Sequence, residues 1–151
     1  MMCIIINNEI LNKYHVDYFS KYPKRKVKPI EKPIPPSLNR FIAMPRMMQN
    51  SVKQKYKEFA VWLASYYNIA NLMLEKAEID YTFYFPDRRR RDMDNLLLTA
   101  KFLNDGWVLA HTLIDDNGER LIIRFSPFNY DSKNPRVEIT ITDRSSHVET
   151  N

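Results

Sequence analysis

Hydrophobic positions recur along this chain with two different periods. Alternation is cleanest in Glu78–Phe85, where Ile79, Tyr81, Phe83 and Phe85 take one side and Asp80, Thr82 and Tyr84 the other. That pattern predicts a half-buried strand, and Pro86 ends it. Val137, Ile139 and Ile141 alternate with Arg136, Glu138, Thr140 and Thr142 and predict a closing strand, while Leu121–Phe125 reads as another. The helical period appears twice. Val52, Tyr56, Phe59, Leu63 and Tyr66 or Tyr67 form one stripe, begun by a capping box of Ser51 and Gln54. Leu96, Ala100, Leu103 and Trp107 form the second, with Leu97 beside it and Gly106 as a stop signal.

The remaining segments are read from breakers and composition. Residues 3–11 (CIIINNEIL) predict a short strand, an Asn-Asn turn and a second apolar pair, a small hairpin. From Lys13 to Lys32 aromatic and basic residues interleave, a composition suited to tracking a nucleic-acid backbone or to a solvated, partly mobile segment. Pro33, Pro35 and Pro36 then force an extended path, and a loop carrying Arg40 and Arg46 follows. Residues 114–119 (IDDNGE) read as a tight turn, with Asn117-Gly118 favouring left-handed backbone; Pro127 and Pro135 bound a loop, and the tail from Arg144 is polar and frayed. The order predicts a two-layer α/β (α+β) domain, a small mixed sheet with two main helices on one face. Its parts are an N-terminal extension 1–27, a central domain 28–143 and a polar tail 144–151.

Composition narrows the class of protein. The chain of 151 residues carries a net charge of +5, with twelve Lys/Arg against three Asp/Glu in residues 1–57 and eleven against fifteen in residues 58–151. A basic half beside an acid-rich half suits a polyanion-binding surface next to an acidic site. Cys3 is the only cysteine, which excludes a disulfide and a cysteine-based zinc site, and His15, His111 and His147 lack metal-ligand spacing. The run Cys3–Ile6 is too short for a signal peptide or a membrane span, so a cytoplasmic protein is expected.

The densest chemistry is Pro86-Asp87-Arg88-Arg89-Arg90-Arg91-Asp92-Met93-Asp94-Asn95. Asp92 and Asp94 stand where a helix begins, and a plain reading makes them caps. Three features favour a metal site instead. The pair follows a strand end, four arginines precede it, and Asp115-Asp116 returns across one helix. Magnesium prefers hard oxygen ligands and takes one or two carboxylates per ion, so these aspartates are candidate ligands for Mg2+, with Mn2+ able to replace it. Arg88, Arg89, Arg90 and Arg91, with Arg40 and Arg46, are the candidate DNA-binding cations.

The segment Phe85-Pro86-Asp87 through Asn95, followed by Ile114-Asp115-Asp116, resembles the RusA-type Holliday junction resolvases. So do Pro35-Pro36-Ser37-Leu38-Asn39-Arg40 and the closing Glu138–Thr142, and the resemblance spans about residues 28–143. It implies a magnesium-dependent endodeoxyribonuclease of recombination and repair, bacterial or prophage-encoded. Such an enzyme works as a homodimer on four-way junction DNA and makes paired nicks in opposed strands; no small-molecule substrate or membrane is implied. It puts metal ligands at Asp92, Asp94 and Asp116, with Asp115 adjacent, and the family's catalytic lysine at the position of Leu98. Lys101, one turn beyond on roughly the same face, is the candidate replacement. Two other readings are a junction-binding relative with weak or no catalysis and a basic structural or RNA-binding protein.

Overall fold

A computed structural model describes residues 1–145. Five strands form one mixed sheet: β1 (Met2–Ile6), β2 (Ala77–Phe85), β3 (Leu121–Phe125), β4 (Asn129–Tyr130) and β5 (Arg136–Asp143). The order is β1-β5-β2-β3, antiparallel across the first two pairings and parallel across the third. β4 continues the β3 side of the sheet by pairing with Tyr84 and Phe85. The predicted alternation is what the sheet uses. Ile4 and Ile6, Ile79 through Phe85 at every second position, and Val137, Ile139 and Ile141 are all buried on one face.

Four helices accompany the sheet: α1 (Asn8–Lys21), α2 (Leu38–Ile42), α3 (Arg46–Tyr66) and α4 (Leu97–Leu109), the last preceded by a 3-10 turn, Met93–Leu96. Tyr56, Phe59, Ala60 and Leu63 of α3 and Phe102, Leu103 and Trp107 of α4 supply the apolar layer. The mixed α/β architecture is as predicted, with more helix than the two stripes announced.

The predicted hairpin over residues 3–11 is not formed. Asn7 accepts a hydrogen bond from the Ile10 N–H through its Oδ1 at 2.9 Å and starts α1, so the asparagine pair caps a helix. The basic-aromatic segment that follows is helical as far as Lys21. Ile10, Leu11, Tyr14 and Tyr18 are buried on one stripe of α1, against Phe59 and Trp62 of α3. The residues read as an extension thus belong to the same sheet and core as the rest.

Three further boundaries differ from prediction. α3 starts at Arg46, ahead of Ser51, with Pro45 at its cap position. Gln49 donates from Nε2 to the Phe41 and Met44 carbonyls at 3.0 and 3.3 Å, which fastens α2 to the first turn of α3. Gly106 lies inside α4, where a β-carbon would stand 2.4 Å from the Ala60 β-carbon and 2.9 Å from the Lys57 carbonyl oxygen. It is there for close helix contact and does not stop the helix. Neither Asn117 nor Gly118 has positive φ. The Asn117 carbonyl accepts from the N–H groups of Arg120 and Leu121, giving a right-handed turn. Of the predicted frayed tail, Arg144 and Ser145 are bonded to Glu78, Glu75 and Lys76, and 146–151 lie outside the described residues.

Candidate nucleic-acid and metal site

Pro86 ends β2 and turns the chain into a loop organised by Asp87. Its Oδ1 accepts from the Arg89 N–H at 3.0 Å and meets Nη2 of Arg91 at 2.9 Å. The Arg89 N–H and the Arg91 guanidinium hold the Asp87 carboxyl below the usual carboxylate range. Arg91 also donates to the carbonyls of Asp87 and Arg89 and lies over the Phe85 ring, 4.1 Å from its centroid. Arg88 stacks over Tyr130. The four arginines therefore divide. Arg91, with a side chain 23% exposed, builds the loop, whereas Arg89 and Arg90 at 84% and 92% extend into solvent.

Asp92 occupies the cap position of the 3-10 turn, yet its side chain makes no capping hydrogen bond. Its nearest cation is Arg90, 3.8 Å away. Asp94 is exposed in the turn itself. Among the described residues, seven of the ten aspartates have a carboxylate engaged by a hydrogen bond, as in Trp62 to Asp17 or Ser126 to Asp80. The three left over are Asp92, Asp94 and Asp116. Asp115 is among the engaged, accepting from the Asp116 N–H and from Nδ2 of Asn117 to shape the turn.

Two concave surfaces flank this turn. A cleft of about 360 Å³ is lined by Arg89, Arg90, Arg91, Asp92 and Asn95, with Ser37 and Pro35 of the proline segment opposite. Asn95 fixes that neighbour by accepting from the Asn39 N–H at 3.3 Å. A groove of about 510 Å³ lies beside it, lined by Leu97, Ala100, Lys101, Asn104, Asp116, Ile123 and Phe125. Leu96 lines the cleft and Leu97 the groove, so adjacent residues join the two. Lys101 and Asp116, far apart in sequence, meet in one groove. Leu98, in contrast, is 9% exposed and packs in the core. The groove-facing position is Leu97, which lies beside the buried stripe of Leu96, Ala100, Leu103 and Trp107.

Several groups at this site were not singled out from sequence. Asp105 pairs with Nζ of Lys101 at 3.1 Å, an i,i+4 spacing that the sequence displays. Asn104, buried in the groove floor, accepts from the Tyr81 hydroxyl at 2.8 Å. Complete burial raises the Tyr81 pKa, so the phenol stays a donor. Arg40 on α2 and Arg46 at the start of α3 are exposed and line neither cavity.

The donors present suit a hard divalent ion, since Asp92, Asp94 and Asp116 offer free carboxylate oxygens and one or two suffice for magnesium beside substrate phosphate. Among the described residues no three carboxylate or imidazole groups stand together as a metal cluster. The fit is one of donor type. No protein-family model matches the chain, and no curated protein matches it.

Proposed function

We propose that this chain is a magnesium-dependent endodeoxyribonuclease that resolves four-way DNA junctions by paired nicks in opposed strands, acting as a homodimer. One observation carries the reading: Asp92, Asp94 and Asp116, which the RusA-type resemblance names, are the three aspartates among the described residues whose carboxylates accept no internal hydrogen bond. An unengaged carboxylate beside arginines is free to serve a ligand, whereas a cap or turn aspartate is already used.

In this reading Arg89 and Arg90 draw the phosphate chain to the cleft, and Asp92, Asp94 and Asp116 are the residues that would hold magnesium. When bound, the ion supplies charge compensation at the phosphate under attack. Lys101 adds a cation to the groove wall, available once it leaves Asp105; an exposed i,i+4 pair is worth only about 0.3–0.5 kcal/mol, so release costs little. A two-fold dimer presents two equivalent sites to the two opposed strands. The Lys101–Asp105 pair, which occupies the groove's lysine, favours a second reading, a junction binder with weak catalysis. Incubating a synthetic four-way junction with the protein, with and without magnesium, separates them. Paired nicks only with metal support the first; tight binding without nicks supports the second.

A further inference from the structure

The basic-aromatic segment after α1 does not belong to the site above, and its fold gives it a surface of its own. A groove of about 560 Å³ runs between α1 and α3, lined by Tyr18, Arg25, Lys26 and Val27 on one side and Ser51, Gln54, Lys55 and Glu58 on the other. Ser51, Lys55 and Glu58 recur at helical spacing, so one face of α3 forms that wall. None of these residues lines the arginine cleft or the Lys101 groove.

Arg25 is held in place without an acid. Its guanidinium lies 3.8 Å from the centroid of the Tyr22 ring, and Nη1 donates to the Tyr18 hydroxyl at 2.8 Å. Among the described residues no carboxylate is within ion-pair distance of Arg25, Lys26 or Lys55. The groove's one acid, Glu58, is already occupied by the Tyr22 hydroxyl at 2.8 Å and by Lys21 at 3.4 Å. An arginine pinned by stacking, with guanidinium hydrogens to spare, is preorganised for an external oxyanion.

The donor set says which oxyanion. Arginine, lysine, serine, glutamine and tyrosine are the side chains that contact nucleic-acid phosphates. A protein partner would call for apolar or aromatic anchors seated in pockets, and Val27 is the sole exposed aliphatic side chain in this groove. Lys24 and Lys28, both exposed, extend the positive potential along the same loop.

We propose that the α1–α3 groove is a second DNA contact, binding the phosphate backbone of a duplex arm through Arg25, Lys26 and Lys55, apart from the candidate cleavage site. The contact does not depend on catalysis.

The test compares wild type with Lys26→Ala/Lys55→Ala and, as control, Lys76→Ala on the opposite side of the sequence's charge division. Affinity for a linear duplex and for a four-way junction is measured by fluorescence anisotropy across a salt series. Each lost phosphate contact lowers the slope of log K against log salt by about 0.9, so the double variant should lose about 1.8 on linear duplex, with unchanged thermal stability. The Lys76 control should keep its slope. An unchanged slope in the double variant overturns the proposal. So does retention of DNA affinity by that variant together with loss of binding to phosphatidylserine vesicles, which would make the groove a membrane contact. If the wild-type protein never nicks a junction, the nuclease reading fails while the slope still decides this one.

Discussion

Lys101 of α4 and Asp116 of the loop before β3 line one groove, with Leu97 a turn earlier on the same wall. That relationship changes where a missing cation should be restored. Leu98, the position at which the RusA-type resemblance expects a lysine, faces the core, so Leu98→Lys should destabilise the fold by roughly 2–5 kcal/mol, the range for losing a core leucine. Lys101→Ala should slow single-turnover junction cleavage by about 10²–10³, the usual effect of one electrostatic donor, with little change in affinity. Leu97→Lys in that background should recover part of the rate. If Lys101→Ala cleaves at the wild-type rate, the groove is not catalytic.

The unengaged carboxylates lead to the second prediction. Asp92→Asn, Asp94→Asn and Asp116→Asn should each reduce magnesium-dependent cleavage to background, because each removes one negative charge from a candidate ligand with little change in shape. Their thermal stability should stay within about 0.5 kcal/mol of wild type, since no internal hydrogen bond is lost. Asp115→Asn is the informative contrast: its carboxylate shapes a turn, and cleavage should fall less than for Asp116→Asn. Equal rates for all four variants and wild type would remove the metal assignment.

The arginine run should separate by role. Arg89→Ala/Arg90→Ala should flatten the salt dependence of junction binding by about 1.8, at about 0.9 for each phosphate contact, without altering stability. Arg91→Ala should lower the melting temperature instead, because Arg91 holds the loop through Asp87, two carbonyls and the Phe85 ring. Salt-series anisotropy and thermal melts on the same proteins check both halves.

The division between what was legible and what was not follows the range of the interactions. Strands β2 and β5 were legible because a period of two records which face is buried, and the Ile79–Phe85 positions are all core. α1 was missed although Ile10, Leu11, Tyr14 and Tyr18 have helical spacing; the surrounding lysines drew the reading toward composition. The start of α3 was misplaced because Ser51 and Gln54 match a capping box, while the actual start depends on Gln49 reaching back to α2, a tertiary contact. At the site, the Asp-x-Asp motif pointed to the strand-to-helix junction. The stripe Leu96, Ala100, Leu103 and Trp107 is buried as its spacing announced, but which of Leu97 and Leu98 beside it faces out was not readable, since both are leucines next to the stripe.

Gly106 supports a prediction about the scaffold. A β-carbon there would collide with Ala60 and with the Lys57 backbone, and a backbone carbonyl cannot move aside as a side chain can. Overpacking of this kind costs about 1–3 kcal/mol, against a gain of about 1 kcal/mol from alanine's helix propensity. Gly106→Ala should therefore lower stability in denaturant titrations by up to about 2 kcal/mol. Ala60→Gly removes the nearest clash, so adding it should restore part of that loss. A Gly106→Ala variant more stable than wild type would mean that α3 and α4 are not packed this closely.

The last prediction concerns His15, buried on α1 beside Tyr14 and Phe19. Neither ring nitrogen has a hydrogen-bond partner of good geometry among the described residues, although the Ile30 backbone lies near enough to oppose the shift slightly. Burial, reinforced by the positive charge of Lys28, lowers its pKa from the ordinary value of 6.5. A histidine whose pKa is lower folded than unfolded gives its full stability above the unfolded value. That contribution is lost as pH falls toward and through the folded value, because the unfolded chain takes up the proton first. The melting temperature should thus decline on acidification from about pH 7, ahead of any carboxylate titration. His15→Phe fills the site without a titrating group, and its melting temperature should be flatter over the same interval. Parallel declines for the two proteins would show that the proton is taken up elsewhere.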